Sequence, residues 1–317
     1  MYHPFTHITK KKRILLTHLI KLYKEIFRPS TEWNHVDLFT ISAYNGKQIP
    51  LKWGKKMFSQ QERCIYRANP LAEVICQLRF PEILSIQTQL PANFQEAIRE
   101  EYPQYSARNE VSAPKLTGTP GNIALEKQTS TTNYQFASVD GVWRINLTSK
   151  FISLSCSHYT CWEDFAQRLD KPLAAFIRLY KPAYFERIGL RYINFISRKQ
   201  LNLEDVPFSQ LMESCYLGPL GQEDVNPAAV ARCSLDCEMN IRGGCKAKIH
   251  AGPGMVKRGN VSDPEVKFVL DLDLYMSGNI PVNHSAGALQ TLHSQAYPIF
   301  RGAITDTLHN AMDPESA

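Results

Sequence analysis

The chain predicts a mixed α+β protein built from two similar halves, each running strand, helix, strand meander, longer helix. Three observations point there. Apolar and polar residues alternate with a period of two in several short runs, the pattern of half-buried strands. Other runs place apolar residues three and four apart, the stripe of an amphipathic helix. The same order of runs then occurs twice, over residues 71–180 and again over 184–312. At 317 residues and 44% hydrophobic, the chain can bury one large core or two smaller ones.

The first strand reads Glu73-Val-Ile-Cys-Gln-Leu-Arg-Phe80. It sets Val74, Cys76, Leu78 and Phe80 on one face and Glu73, Gln77 and Arg79 on the other. Pro91, preset for a first helical turn, opens a helix with Phe94, Ala97, Ile98 and Tyr102 on its apolar side. Residues 106–122 are rich in Ser, Pro, Gly and Thr and predict a loop. Strands follow around Leu125–Thr129, Tyr134–Ser138, Val142–Leu147 and Phe151–Cys156, with Asp140-Gly141 as a hairpin turn. Thr160 and Glu163 have capping-box spacing ahead of a helix that uses Trp162, Phe165 and Leu169. Asp170 and Pro172 predict a restart, with Leu173, Phe176, Ile177 and Tyr180 in a second segment.

Strand character returns at Tyr184–Ile196. A helix near Val206–Tyr216 and a turn-rich stretch through Pro227 come next. Strands are then predicted at Ala231–Arg242, Lys246–Ala251 and Val266–Met276. The last helix uses Leu289, Leu292, Ala296, Phe300, Ile304, Leu308 and Met312, and Pro298 should kink it. In topology alone, this doubled β-α-meander-α order resembles the saddle of the TATA-binding protein. The alternative is a single helix-grip domain whose long last helix packs in a curved sheet. Neither likeness carries a function with it.

Charge separates the beginning of the chain from its body. Residues 1–56 hold eleven basic and three acidic side chains, so of the net charge of +6 the remainder of the chain carries −2. Within that stretch, Leu15, Leu19, Leu22 and Ile26 fall at helical spacing, which predicts a basic amphipathic helix. A docking helix or a poorly ordered leader is the expectation; a membrane-surface or partner-binding role, or a natural start at Met57, are the alternatives. The predicted organisation is thus a basic leader over 1–56, a first α+β half over 57–181 and a second over 182–317. The run from Ile14 to Phe27 is interrupted by Thr17, His18, Lys21, Lys24 and Glu25, so it cannot cross a bilayer. Eight cysteines at irregular spacing, several inside apolar strand patterns, suit a reducing cytoplasm better than a disulfide framework.

Candidate chemistry is sparse. In the strand from Phe185, Arg187, Gly189 and Arg191 share one face; in the strand from Val266, Asp271 and Asp273 share the face opposite the apolar residues. Paired carboxylates can hold a metal or divide acid and base work. With an arginine face in the same half, a cross-strand ion network is the simpler expectation, to which Glu73, Gln77 and Arg79 add a possible extension. His158, Cys161 and Asp164 near a helix start imitate a thiol nucleophile, but sequence neighbours rarely form such a set. Cys233, Cys237 and Cys245 lack the paired knuckles of a zinc site. Gly252-Pro-Gly254 with Lys257, Arg258 and Gly259 lacks the Gly-Lys-Ser/Thr ending of a phosphate loop and predicts a hairpin or a mobile loop. Tyr134, Phe136, Trp143 and Arg144 offer rings and a cation for stacking on bases, though Phe136 suits a core equally well. No cofactor and no metal are expected.

Asn69-Pro-Leu-Ala-Glu-Val-Ile-Cys-Gln-Leu-Arg-Phe-Pro81 resembles the opening of a sporadically distributed bacterial and archaeal family of uncharacterised proteins. Arg187-Ile-Gly-Leu-Arg-Tyr-Ile-Asn194 is similar to its central signature, and Leu270-Asp-Leu-Asp-Leu274 and Phe300-Arg-Gly-Ala-Ile-Thr-Asp306 to its end. The resemblance spans about Met57 to Pro314 and implies a cytoplasmic protein of patchy occurrence, as in mobile defence or toxin–antitoxin modules. It implies no activity and no catalytic residues. The functional expectation is a non-catalytic binding protein that meets a protein partner or a second copy of itself, without membrane association. A nucleic-acid-binding protein and an enzyme built on Asp271 and Asp273 are the alternatives.

Overall fold

The computed structural model describes residues 57–111, 116–119, 122–125, 130–258 and 261–316. The basic helix expected over Ile14–Phe27 lies outside them. The described residues belong to one compact unit, so both runs share one core.

The centre of the molecule is a nine-stranded sheet, and all its neighbouring strands pair antiparallel. After a short β1 (Cys64–Tyr66), the first run supplies β2 (Leu71–Arg79), the small helices α1 (Leu84–Thr88) and α2 (Ala92–Ile98), and β3 (Gln104–Val111). A separate hairpin, β4 (Leu116–Thr119) and β5 (Asn122–Leu125), precedes the meander. The meander is β6 (Ser130–Ala137), β7 (Trp143–Leu147) and β8 (Phe151–Cys156), and helix α3 (Trp162–Tyr180) closes the run. The second run supplies β9 (Phe185–Ile196), α4 (Phe208–Leu211), β10 (Leu235–Asn240), β11 (Lys246–Arg258), β12 (Val261–Ile280) and helix α5 (Ser285–Ala303). Then come α6 (Asp306–Ala311) and β13 (Pro314–Ser316), which pairs with β1. The order across the sheet is β10-β11-β12-β9-β2-β8-β7-β6-β3. Outward from the β2–β9 pair, β2-β8-β7-β6 on one side is therefore matched by β9-β12-β11-β10 on the other.

Period-two patterning decides which face is covered. Val74, Cys76 and Leu78 on β2, Ile152 and Leu154 on β8, Leu190 and Tyr192 on β9 and Leu270, Leu272 and Leu274 on β12 are all buried beneath the long helices. Trp162 of α3 stacks on His293 of α5, with ring centroids 4.5 Å apart and planes within 7°, which joins the helices above the middle of the sheet. The opposite face carries mostly polar and charged side chains, and both long helices lie on the other side of the sheet.

Several local expectations need correction. The Ser/Pro/Gly/Thr stretch is not simply a loop, because it contains most of β3. All eight β3 residues are exposed, so this edge strand has no apolar alternation to reveal it. The capping box does not form: Cys161 takes the N-cap position, without a side-chain cap. Nor does the helix restart at Pro172. Proline lacks the N–H that would bond the Arg168 carbonyl four residues back, and the buried Tyr102 hydroxyl donates to that carbonyl instead, at 3.1 Å. The long last helix ends at Ala303, where Ile304 turns extended and bridges to Met212; Thr305 then caps α6. The helix expected over Val206–Tyr216 reduces to α4 and a single 3-10 turn at Ser214–Tyr216. Gly252-Pro-Gly254 lies inside β11, with Pro253 opposite Phe268.

Candidate functional site

The open face of the sheet gathers the polar residues. In the second run, β9 and β12 are neighbours, and Asp273 stands opposite Arg191 in register. The ion pairs run diagonally. Arg191 reaches Asp271 through Nε (2.8 Å to Oδ1) and Nη2 (2.5 Å to Oδ2), while Arg187 donates from Nη2 to both oxygens of Asp273 at 2.7 and 2.8 Å. Gly189, between the two arginines, leaves room for this: a Cβ there would collide with the Arg187 guanidinium. That guanidinium also sits 4.4 Å from the centre of the Tyr275 ring, whose hydroxyl donates to Glu238 at 2.6 Å. Farther out, His250 Nδ1 is 2.9 Å from Asp236. The second run's open face therefore neutralises much of its own charge.

Glu73 and Arg79 do not extend that network. Neither makes an ion pair among the described residues, and Glu73 touches it only through its field on Arg191. Register explains Arg79, which faces Arg187 directly, like charge against like. Because each carboxylate of the Asp271 and Asp273 pair holds its own arginine, the two do not converge on a shared site. Among the described residues no cluster has the makings of a metal site.

The first run presents a different surface. Register partners form a polar row from Ser106 on β3 through Gln135, Asn146 and Ser153 to Gln77 on β2. Side chains link along it: Ser106 donates to Gln135 (3.5 Å), Gln135 to Asn146 (3.0 Å), and Asn146 to Ser153 (3.4 Å). Three exposed arginines flank the row, and none has an ion pair among the described residues. Arg144 stands one step to one side, in register with Ser155; Arg108 and Arg79 stand one step to the other. Phe151, half-buried and in register with Arg79, helps to line a shallow depression with Gln77 and Arg79. The acids on this part are Glu110, which accepts from Asn133 at 2.7 Å, and Glu73 at the margin.

Parity signals Gln77, Asn146 and Ser153 as polar-face residues, but nothing in one strand reveals a row that depends on the register of five. The aromatic set expected to stack on bases is divided instead. Tyr134, Phe136 and Trp143 are buried on the helix side, and only Arg144 reaches the open face. Among the other candidates, Asp164 pairs with Arg168 at 3.6 Å rather than with His158 or Cys161. Cys233 and Cys245 give their thiol protons to the carbonyls of Leu217 and Gly243, and all eight cysteines are free.

No family model matches the chain, and no curated protein matches it. Among the described residues, no helix is long and apolar enough to cross a membrane.

Proposed function

We propose that this chain is a non-catalytic recognition protein that binds its partner on the open face of β3, β6, β7, β8 and β2. The observation that carries the reading is the contrast across the sheet. On the open face of the second run Arg187 and Arg191 pair internally, whereas among the described residues Arg79, Arg108 and Arg144 have no ion pair around a row of amides and hydroxyls held in place by their own hydrogen bonds. Unpaired guanidinium groups call for an anionic partner, and preorganised amides offer donors and acceptors at little entropic cost. Single-stranded nucleic acid matches both features, its phosphates meeting the arginines, its base edges the amide row and its base faces Phe151. An acidic protein segment would meet the same cations but leave the amide row without comparable partners. The Arg187–Asp273 and Arg191–Asp271 pairs then serve as a structural border to this surface.

The doubled strand order, with a 19-residue helix closing each run, supports a further reading as an internal duplication of saddle type. In it, residues 57–181 and 182–317 are the halves, and only the first keeps its open face free.

Ultraviolet cross-linking of the full chain to a single-stranded oligonucleotide, followed by peptide mass spectrometry, tests the reading. Adducts are expected within residues 104–111 and 130–156. Adducts confined to α5, or none at saturating oligonucleotide, would overturn it.

A further inference from the structure

On the other side of the sheet, α5, the β1 segment and the residues just ahead of α3 enclose a half-open cavity of about 100 Å³ over β2, β9 and β12. Its walls carry several rings, among them Tyr66, Tyr192, Tyr297 and Phe300. Two features of the lining point to a ligand. Asn194 is 2% exposed and spends its amide Nδ2 on the Leu270 and Tyr192 carbonyls at 3.0 and 3.4 Å, while its Oδ1 has no hydrogen-bond donor among the described residues. That oxygen is not sealed from solvent, so it offers an acceptor to whatever enters the cavity. The other is Arg63, which brings a cation to the lining. It has no ion pair among the described residues, and the carboxylate that feels its field, Glu163, does not line the cavity. His293, also in the wall, is held neutral near pH 7, because burial pushes its imidazole down to about 4.

We infer that this cavity is a binding site for a small monocyclic aromatic acid that carries a hydrogen-bond donor on its ring. The volume is smaller than the apolar cavity of about 150 Å³ that takes benzene, so a single ring fills it and its substituent extends through the half-open mouth. The tyrosine and phenylalanine rings pack against that ring in offset or edge contact. The anionic group meets the Arg63 guanidinium at the mouth, and the ring donor satisfies Asn194 Oδ1 at the buried end. The site lies on the face opposite the proposed partner surface, so the two readings stand or fall separately.

The test uses three probes on the full chain, followed by saturation-transfer NMR and titration. They are 4-hydroxybenzoate, which has both groups; benzoate, which lacks the donor; and phenol, which lacks the charge. The expected order places 4-hydroxybenzoate first, with benzoate and phenol each weaker by at least about fivefold, the loss of one hydrogen bond to a polar partner. Because Arg63 is exposed, Arg63→Gln should fold normally. It should weaken both acids by at least about fivefold and leave phenol unchanged. Failure of all three probes to bind at millimolar concentration, equal affinities for all three, or acid affinities unchanged in Arg63→Gln would each overturn the inference.

Discussion

Arg187 does not pair with Ser277, the residue directly across the sheet, but reaches diagonally over Gly189 to hold Asp273 at 2.7 Å. Three side chains depend on that lane, because the same guanidinium lies on the Tyr275 ring. Gly189→Ala should expel the guanidinium and lose both contacts, at about 1–2 kcal/mol in urea unfolding. In an Arg187→Ala background the same glycine substitution should cost only a few tenths, since nothing remains to be displaced. Equal costs in both backgrounds would show that the glycine serves the backbone instead.

Tyr102 and Pro172 make a similar pair in the core. Tyr102→Phe strands the Arg168 carbonyl inside α3 and should cost about 1–2 kcal/mol. Adding Pro172→Ala restores an N–H four residues on, so the double variant should regain much of that loss. Amide exchange at position 172 in the double variant would check it: a slow amide means that the helix has taken back its own carbonyl.

His293 gives the fold a pH dependence. Burial lowers its folded pKa to about 4 from the ordinary 6.5, with Arg63 adding to the effect and Glu163 opposing it. Between these values the unfolded chain binds a proton that the folded chain refuses, so stability is full above pH 6.5 and falls as pH drops toward 4. Discounted for the ring's partial exposure, the loss is about 1–2 kcal/mol over that window. Urea unfolding at pH 7 and pH 4.5 should show a smaller difference for His293→Gln than for the parent chain. An identical difference in both would place the titration elsewhere.

What the sequence made legible follows from what one strand or helix can say about itself. Alternation named the buried faces of β2, β9 and β12, and the same parity put Arg187, Arg191, Asp271 and Asp273 on one open face. Register between strands was not legible. It turns on a bulge between Leu71 and Glu73 that no local pattern announces, and it sets Arg79 against Arg187 and outside the ion pairs. The polar row from Ser106 to Gln77 was hidden for the same reason, and β3 because an exposed edge strand is held by backbone pairing rather than apolar residues. Pro172 read as a break because the hydroxyl that replaces its missing donor comes from Tyr102, far away in sequence.

The central claim is that Arg79, Arg108 and Arg144 meet phosphates on the open face, and salt dependence tests it most directly. For a single strand, log K falls against log salt with a slope of about −0.7 per phosphate neutralised, so three contacts predict about −2. Fluorescence anisotropy of a labelled oligonucleotide across a salt series should give that slope for the parent chain. The Arg79→Gln, Arg108→Gln, Arg144→Gln variant should bind far more weakly, with a slope near zero. A parent chain that binds no oligonucleotide, or a variant that keeps the parent's slope, would contradict the account.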